Sequence, residues 1–135
     1  MGAWGAGPFE NDDALDAVDA LVDGSFELDE LRGALAGDYL EAPEGSVALA
    51  LAEVALATLG RIDPPAELDE VDIRLLSTQL DDAAYELILR AAERAVQPDG
   101  SELYELWQEA GDDELAERRT AAVTSVEALR SAIAE

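Results

Sequence analysis

The sequence predicts an all-α protein: a compact bundle of six to seven short helices around one central apolar helix. Three observations support this fold class. Residues 46–59 are apolar around almost the whole circumference of a helix, with Glu53 as the one charged residue of the segment. Several other segments carry apolar residues at helical spacing. No stretch alternates apolar and polar residues with the β-branched character of a strand.

The length of 135 residues favours one helical domain that spans residues 1–135. We expect residues 46–59 to form the buried centre of this domain, with Ser46 as the N-cap and Gly60 at the end. Such a helix is about 21 Å long, which is too short to cross a bilayer.

The other helices are predicted in chain order from their apolar faces and boundary residues. Residues 1–10 form a Gly- and aromatic-rich arm, followed by helices at about 12–22 and 26–36. Residues 38–45 are predicted to be a loop. After the Pro-rich break at 63–65, helices are expected at about 68–80, 82–95, 101–110 and 112–134. The helix at 82–95 has the clearest amphipathic face, formed by Ala84, Leu87, Ile88, Ala91, Ala92 and Ala95.

The composition removes several kinds of catalytic and binding chemistry. The chain has no Cys and no His, and all eight cationic side chains are Arg. Disulfides, thiolate zinc sites, histidine bases and lysine Schiff bases are therefore excluded. We assign no catalytic, cofactor-binding or metal-ligating residue and expect no cofactor. Carboxylates remain available for acid–base or metal chemistry, so an enzyme of that kind stays open as an alternative.

The net charge of −24 bears on the partners and on the origin of the protein. This charge repels nucleic acids and anionic membranes and favours a basic protein as partner. It also fits adaptation to a salt-rich cytoplasm, since high salt screens self-repulsion. A GC-rich coding sequence would favour Asp and Arg over Lys as well. The sequence does not indicate an oligomeric state.

The first residues contain neither a basic n-region nor an apolar segment of a signal peptide, so we expect a cytoplasmic protein. They do contain a motif of aromatic, glycine and polar residues: Trp4, Gly5, Gly7, Phe9, Asn11 and Asp12. Its glycines could let a ligand approach the backbone. The structural interpretation is that the glycines form turns while Trp4 and Phe9 fill the core.

This opening, M-G-x-W-G-x-G-x-F-x-N-D, resembles that of a family of short bacterial and archaeal proteins catalogued as a domain of unknown function. The similarity is specific over about the first 25 residues and looser beyond them. It implies a shared, mostly helical fold and a native N-terminus. It implies no activity, because none is established for the family.

Glu53 is the other candidate for a functional or structural role. A buried carboxylate is costly unless it is paired or protonated. It could act as an acid in a pocket, or reach the rim of the bundle, or form a structural pair. The candidate partners are Arg61, Arg74, Arg90 and Arg94.

Two further features can each be interpreted either structurally or functionally. The row of Asp12, Asp16, Asp19 and Asp23 follows helical spacing, which is typical of a solvated face but could also bind a divalent cation. The aromatic pair Tyr104 and Trp107 could pack in the core or anchor a protein interface.

These observations favour a non-enzymatic acidic domain that binds a basic protein. An immunity or antitoxin-like role, in which the acidic surface covers a cationic toxin, is one concrete form of this hypothesis, and nucleic-acid mimicry is another. The alternatives are a carboxylate- or metal-dependent enzyme, and an acidity that reflects salt adaptation alone.

Overall fold

The structure, a computed structural model, describes residues 16, 19–20, 32–33, 35–37, 39–62, 78 and 80–134. In these residues it contains four helices: α1 (Ala42–Thr58), α2 (Asp82–Ala95), α3 (Glu102–Ala110) and α4 (Asp112–Ala134). Apart from an isolated parallel bridge between Leu40 and Ser101, the described chain has no β-structure. The predicted all-α class is therefore confirmed.

The predicted number of six to seven short helices is not supported by the described ranges, which contain four. The predicted arm at residues 1–10 lies outside them, as do most residues of the helices predicted at 12–22, 26–36 and 68–80. The four described helices are also not uniformly short, since α4 has 23 residues. It continues because neither Gly nor Pro interrupts residues 112–134 and apolar residues recur at helical spacing throughout.

The start of α1 corrects the sequence prediction, because the helix begins at Ala42 with Glu41, not Ser46, as its N-cap. The Ala42 N–H donates to Glu102 Oε1 at 2.8 Å, and the Glu41 N–H donates to Glu44 Oε1 at 3.1 Å. Pro43 occupies the first turn, where a backbone N–H would have no helical acceptor. Carboxylates thus accept hydrogen bonds from backbone N–H groups that have no acceptor within the helix. Residues 42–45, which were predicted to be part of a loop at 38–45, are helical.

The end of α1 agrees with the prediction that Gly60 closes it. Gly60 has a φ of +74°, a left-handed conformation that favours glycine. Its N–H donates to Ala57 O at 3.1 Å, and the Arg61 N–H donates to Leu56 O at 2.9 Å. This pair of hydrogen bonds is a Schellman motif, which satisfies two carbonyl groups of the last turn.

The core is built around α1, which contacts each of the other three helices. Every residue from Ala48 to Ala57 is buried except Glu53. The predicted face of α2 is confirmed, since all six of its residues are buried, together with Tyr85. From α4, the buried residues are Ala122, Val126, Leu129 and Ala132.

Short connections hold α3 against its neighbours. Ser101, which is fully buried, is the N-cap of α3: its Oγ accepts from the Tyr104 N–H at 3.2 Å and donates to Ala95 O at 2.8 Å. At the other end, Gly111 with a φ of +117° separates α3 from α4. The predicted start of α3 at Ser101 is thus confirmed, and α3 is fixed to the end of α2.

None of the helices in the described ranges combines the length and the apolar character needed to cross a membrane.

We expect Gly60→Ala to lower the free energy of unfolding by about 1 kcal/mol, because an alanine is strained at positive φ. No atom lies within 4 Å of the position where the new Cβ would stand, so the effect would be conformational and not steric. Urea denaturation measures it.

Gly33→Ala is the matched control, because Gly33 is helical and exposed and also has open space around it. There the same substitution should raise stability, by up to about 1 kcal/mol, since Ala favours the helix. If both substitutions changed the free energy of unfolding in the same direction, Gly60 would not be required for its left-handed backbone conformation.

Candidate functional site

The N-terminal motif predicted as a site lies outside the described residues: Trp4, Gly5, Gly7, Phe9, Asn11 and Asp12. Its two interpretations therefore stay predictions. Of the acidic row, Asp16 and Asp19 are described, and both are helical and exposed. That placement agrees with a solvated face. Trp107 is buried in the core, 6.2 Å from the Tyr104 ring between centroids, as the structural interpretation of this pair predicted.

Glu53 is half-buried between α1 and α4, and its carboxylate accepts a hydrogen bond from the Ser125 hydroxyl. Two of the four predicted arginine partners bind elsewhere. Arg90 pairs with Glu86, and Arg94 donates to the carbonyl of Gly37 at 3.0 Å. A third, Arg74, lies outside the described residues. Glu53 thus has a hydroxyl partner that the sequence did not indicate, and the contact joins the central helix to α4.

A cluster of carboxylates lies at the N-terminal ends of α1 and α3. The Leu40 N–H donates to Gly100 O at 2.7 Å, and the Glu102 N–H donates to Leu40 O at 2.9 Å. These two bonds place the starts of α1 and α3 side by side. The first turn of each helix carries glutamates, which interact favourably with the positive end of the helix dipole.

Tyr39 lies at the centre of this cluster. Its hydroxyl donates a hydrogen bond to Glu105 Oε2. This hydrogen bond, partial desolvation and the negative charges of Glu105, Glu102 and Glu41 raise the pKa of Tyr39 from 10.0 to about 12. The pKa rises because a negatively charged phenolate is disfavoured beside carboxylates. The raised pKa therefore reports mainly the hydrogen bond to Glu105, and the nearby negative charges add to it.

We name this region the acidic face. It continues along α3, where residues at i, i+3, i+4 and i+7 share one side of the helix. It is formed by Tyr39, Glu41, Glu44, Glu102, Glu105, Leu106 and Glu109.

No carboxylate of the acidic face forms an ion pair with an arginine in the described structure. The ion pairs in which both partners are described are Arg90–Glu86, Arg118–Glu114 and Arg130–Glu93, all on α2 and α4. The carboxylates of the face instead accept hydrogen bonds from backbone N–H groups and from Tyr39. None of these three ion pairs neutralises a glutamate of the acidic face.

Two apolar or aromatic side chains are exposed on the same face. Tyr39 is 47% exposed and Leu106 is 46% exposed. Tyrosine is one of the residue types enriched at protein interfaces. The arrangement can therefore bind a cationic side chain together with an apolar contact.

Sequence reasoning did not find the acidic face. The carboxylates are visible in the sequence, but so are many others, since Asp and Glu total 32. Tyr39 and Glu105 are 66 positions apart in the chain, and no local pattern relates them. Only the packing of the start of α1 against α3 brings them together.

One comparison with known proteins finds a match. The family model described as "Domain of unknown function (DUF4259)" matches residues 2–121. No curated protein and no solved structure matches the chain. The match confirms the predicted membership of a family of unknown function and assigns no activity.

The raised pKa of Tyr39 can be measured by NMR of tyrosine labelled at the ring carbon that bears the hydroxyl, with Tyr39→Phe to assign the signal. We expect Glu105→Gln to lower the Tyr39 pKa from about 12 towards 10.0, because it removes the nearest charge. In the wild type the unfolding free energy should fall as the pH rises through this range, because the unfolded chain releases the Tyr39 proton first. Glu109→Gln is the control, and a pKa equally sensitive to both changes would contradict the Tyr39–Glu105 contact.

The contact between Glu53 and Ser125 gives a second prediction. Ser125→Ala should destabilise the protein by about 1 kcal/mol, because it removes a donor to a half-buried carboxylate. Thr124→Ala is the control: Thr124 is exposed and donates only to the Thr120 carbonyl of its own helix. Its effect should stay within about 0.5 kcal/mol. If Ser125→Ala and Thr124→Ala lowered the free energy of unfolding equally in urea denaturation, the Glu53–Ser125 contact would contribute nothing to stability.

Proposed function

We propose that this chain, which belongs to the DUF4259 family of domains of unknown function, is a non-enzymatic domain that binds a basic protein through the acidic face. The observation that carries the proposal is the set of five glutamates on this face without an arginine partner in the described structure. Each of the three described ion pairs lies on another part of the surface.

The carboxylates of the acidic face repel one another, which destabilises the free protein. The charges of Glu105, Glu102 and Glu41 make the local potential negative and, after the hydrogen bond to Glu105, contribute to the raised pKa of Tyr39. A cationic side chain from a partner would lower that potential. Complementary charge would also accelerate association and select against acidic partners. A basic protein is therefore the partner that fits this face best.

Tyr39 and Leu106 support a protein as partner and not a small cation. Both side chains are nearly half exposed next to the carboxylates. A partner that covers them would bury apolar area as well as neutralise charge. An immunity or antitoxin-like protein that covers a cationic toxin is one form of this function, and a surface that imitates nucleic acid is another.

The two alternatives are a carboxylate- or metal-dependent enzyme and an acidity that reflects salt adaptation alone. Neither has a specific observation in its favour. An enzyme that uses carboxylates or a metal would need a suitable cluster, and the described residues hold no group of three or more acidic side chains placed to bind a metal. Salt adaptation alone would explain a high overall charge. It does not by itself explain why the three ion pairs between described residues all lie away from the acidic face.

The test compares two double variants that change the net charge equally. The site variant is Glu105→Gln/Glu109→Gln, and the control is Asp82→Asn/Glu86→Gln, at two exposed positions near the start of α2. The Thr58–Tyr85 hydrogen bond places this part of α2 beside the end of α1, whereas the acidic face lies at the start of α1. Each protein serves as bait in a native lysate of the source organism at about 0.15 M salt, where the Debye screening length is about 8 Å. Mass spectrometry quantifies the basic proteins that are recovered.

We expect the wild type and the control to recover the same basic protein, and the site variant to recover about tenfold less of it. Recovery should also fall at about 1 M salt, where screening is strong. If no basic protein is recovered, the proposal is wrong. If both double variants lose the partner equally, overall charge and not the acidic face is responsible.

A further inference from the structure

A shallow open cleft of about 190 Å³ runs along α4 beside the segment that follows α2. Val96 and Pro98 line it from one side, and Val123 and Val126 form its apolar floor. The charged residues that line the cleft are Arg119 and Glu127 of α4, on either side of Val123 in the sequence, and the ion pair of Arg130 with Glu93. The cleft does not overlap the acidic face.

Arg119 and Glu127 differ from their neighbours because neither forms a hydrogen bond or an ion pair in the described structure. Arg118 pairs with Glu114, and Arg130 pairs with Glu93. Both Arg119 and Glu127 are exposed. Arg94 also has no carboxylate partner in the described structure, but it donates to the Gly37 carbonyl, whereas Arg119 has neither kind of contact there.

The two unpaired charges are symmetric about Val123, four residues away on either side. Residues four apart lie on the same side of a helix. If a second α4 packs antiparallel with Val123 on a two-fold axis, Arg119 of each copy faces Glu127 of the other. A two-fold interface requires this kind of self-complementary surface.

The side chains around this axis allow two helices to approach. Ala116 and Thr120 are small and exposed on the same side of α4, and Val123 is half-buried. An Arg–Glu pair forms at each end of the contact, and an apolar centre lies between them. A foreign partner would have to present the same charges at the same spacing, whereas a second copy supplies both by symmetry.

We propose that the α4 face of Ala116, Arg119, Val123 and Glu127 binds the same face of a second copy of this chain. The two α4 helices are antiparallel and form a homodimer. The Arg119–Glu127 pairs set the register, and the Val123 side chains meet at the axis. The opposing force is repulsion between two chains of charge −24 each, so ionic strength must be varied in the test.

The first experiment measures the monomer–dimer equilibrium by sedimentation at about 0.15 M and about 1 M KCl. Arg119→Glu and Glu127→Arg each replace two attractive pairs with two repulsive ones. Either change should weaken dimerisation about tenfold or more. The double variant exchanges the charges, restores both pairs and should return the dissociation constant to near the wild-type value.

Arg90→Glu is the matched control, because Arg90 is exposed on α2 and does not line the cleft. It makes the same charge change as Arg119→Glu and should leave dimerisation unchanged. Circular dichroism melts confirm that each variant is folded. If the wild type stays monomeric up to about 1 mM at both salt concentrations, the proposal is wrong. A double variant that does not recover dimerisation overturns the Arg119–Glu127 register.

The second experiment uses the absence of cysteine from the chain. A Val123→Cys variant should form a disulfide-linked dimer under mild oxidation, because two residues on a two-fold axis are adjacent. Ala83→Cys, at an exposed position of α2, is the control and should cross-link much more slowly. Adding Arg119→Glu to Val123→Cys should slow the cross-linking. Equal rates at positions 123 and 83 would show that Val123 is not at the axis.

Discussion

Burial of α1 on all its sides is the constraint on which the rest of the structure depends. Between Ala48 and Ala57 only Glu53 keeps partial exposure, so this helix needs neighbours around its whole circumference. α2, α3 and α4 supply them. Alanines on α1 and α2 let these helices approach closely, and the larger Leu, Ile and Val side chains fill the remaining space. The apolar area removed from water is the main favourable term for such a fold.

This core determines where charge can be placed. Since the buried part of α1 from Ala48 to Ala57 carries no charge other than Glu53, the carboxylates concentrate on the outer helices and at the helix starts, where the dipole and free N–H groups stabilise them. Arginines of α2 and α4 form their ion pairs on those helices. Within the described residues, no arginine forms an ion pair with the acidic face, and the α4 face has one unpaired charge of each sign. The two proposals concern different surfaces, so dimerisation through α4 would leave the acidic face open to a partner.

Much of the fold was predictable because it depends on residues close together in the chain. The face of α2 from Ala84 to Ala95, the N-cap Ser101 and the terminating Gly60 all act within one or two helical turns. The start of α1 was predicted wrongly: Pro43 and Glu44 are local signals of it that the choice of Ser46 as N-cap passed over, and the acceptor Glu102 is distant in sequence. For the same reason the Tyr39–Glu105 and Glu53–Ser125 contacts had no local pattern that could reveal them.

The sequence by itself determined the helical class, the apolar character of α1, the high negative charge and the kinds of chemistry that are excluded. These properties follow from composition and from spacing within a helix. The tertiary structure alone decided which carboxylates share a surface, which arginines neutralise them and which partner Glu53 has. The physical reason is that helix periodicity orients a side chain about its own axis, whereas the neighbour it meets depends on how the helices pack.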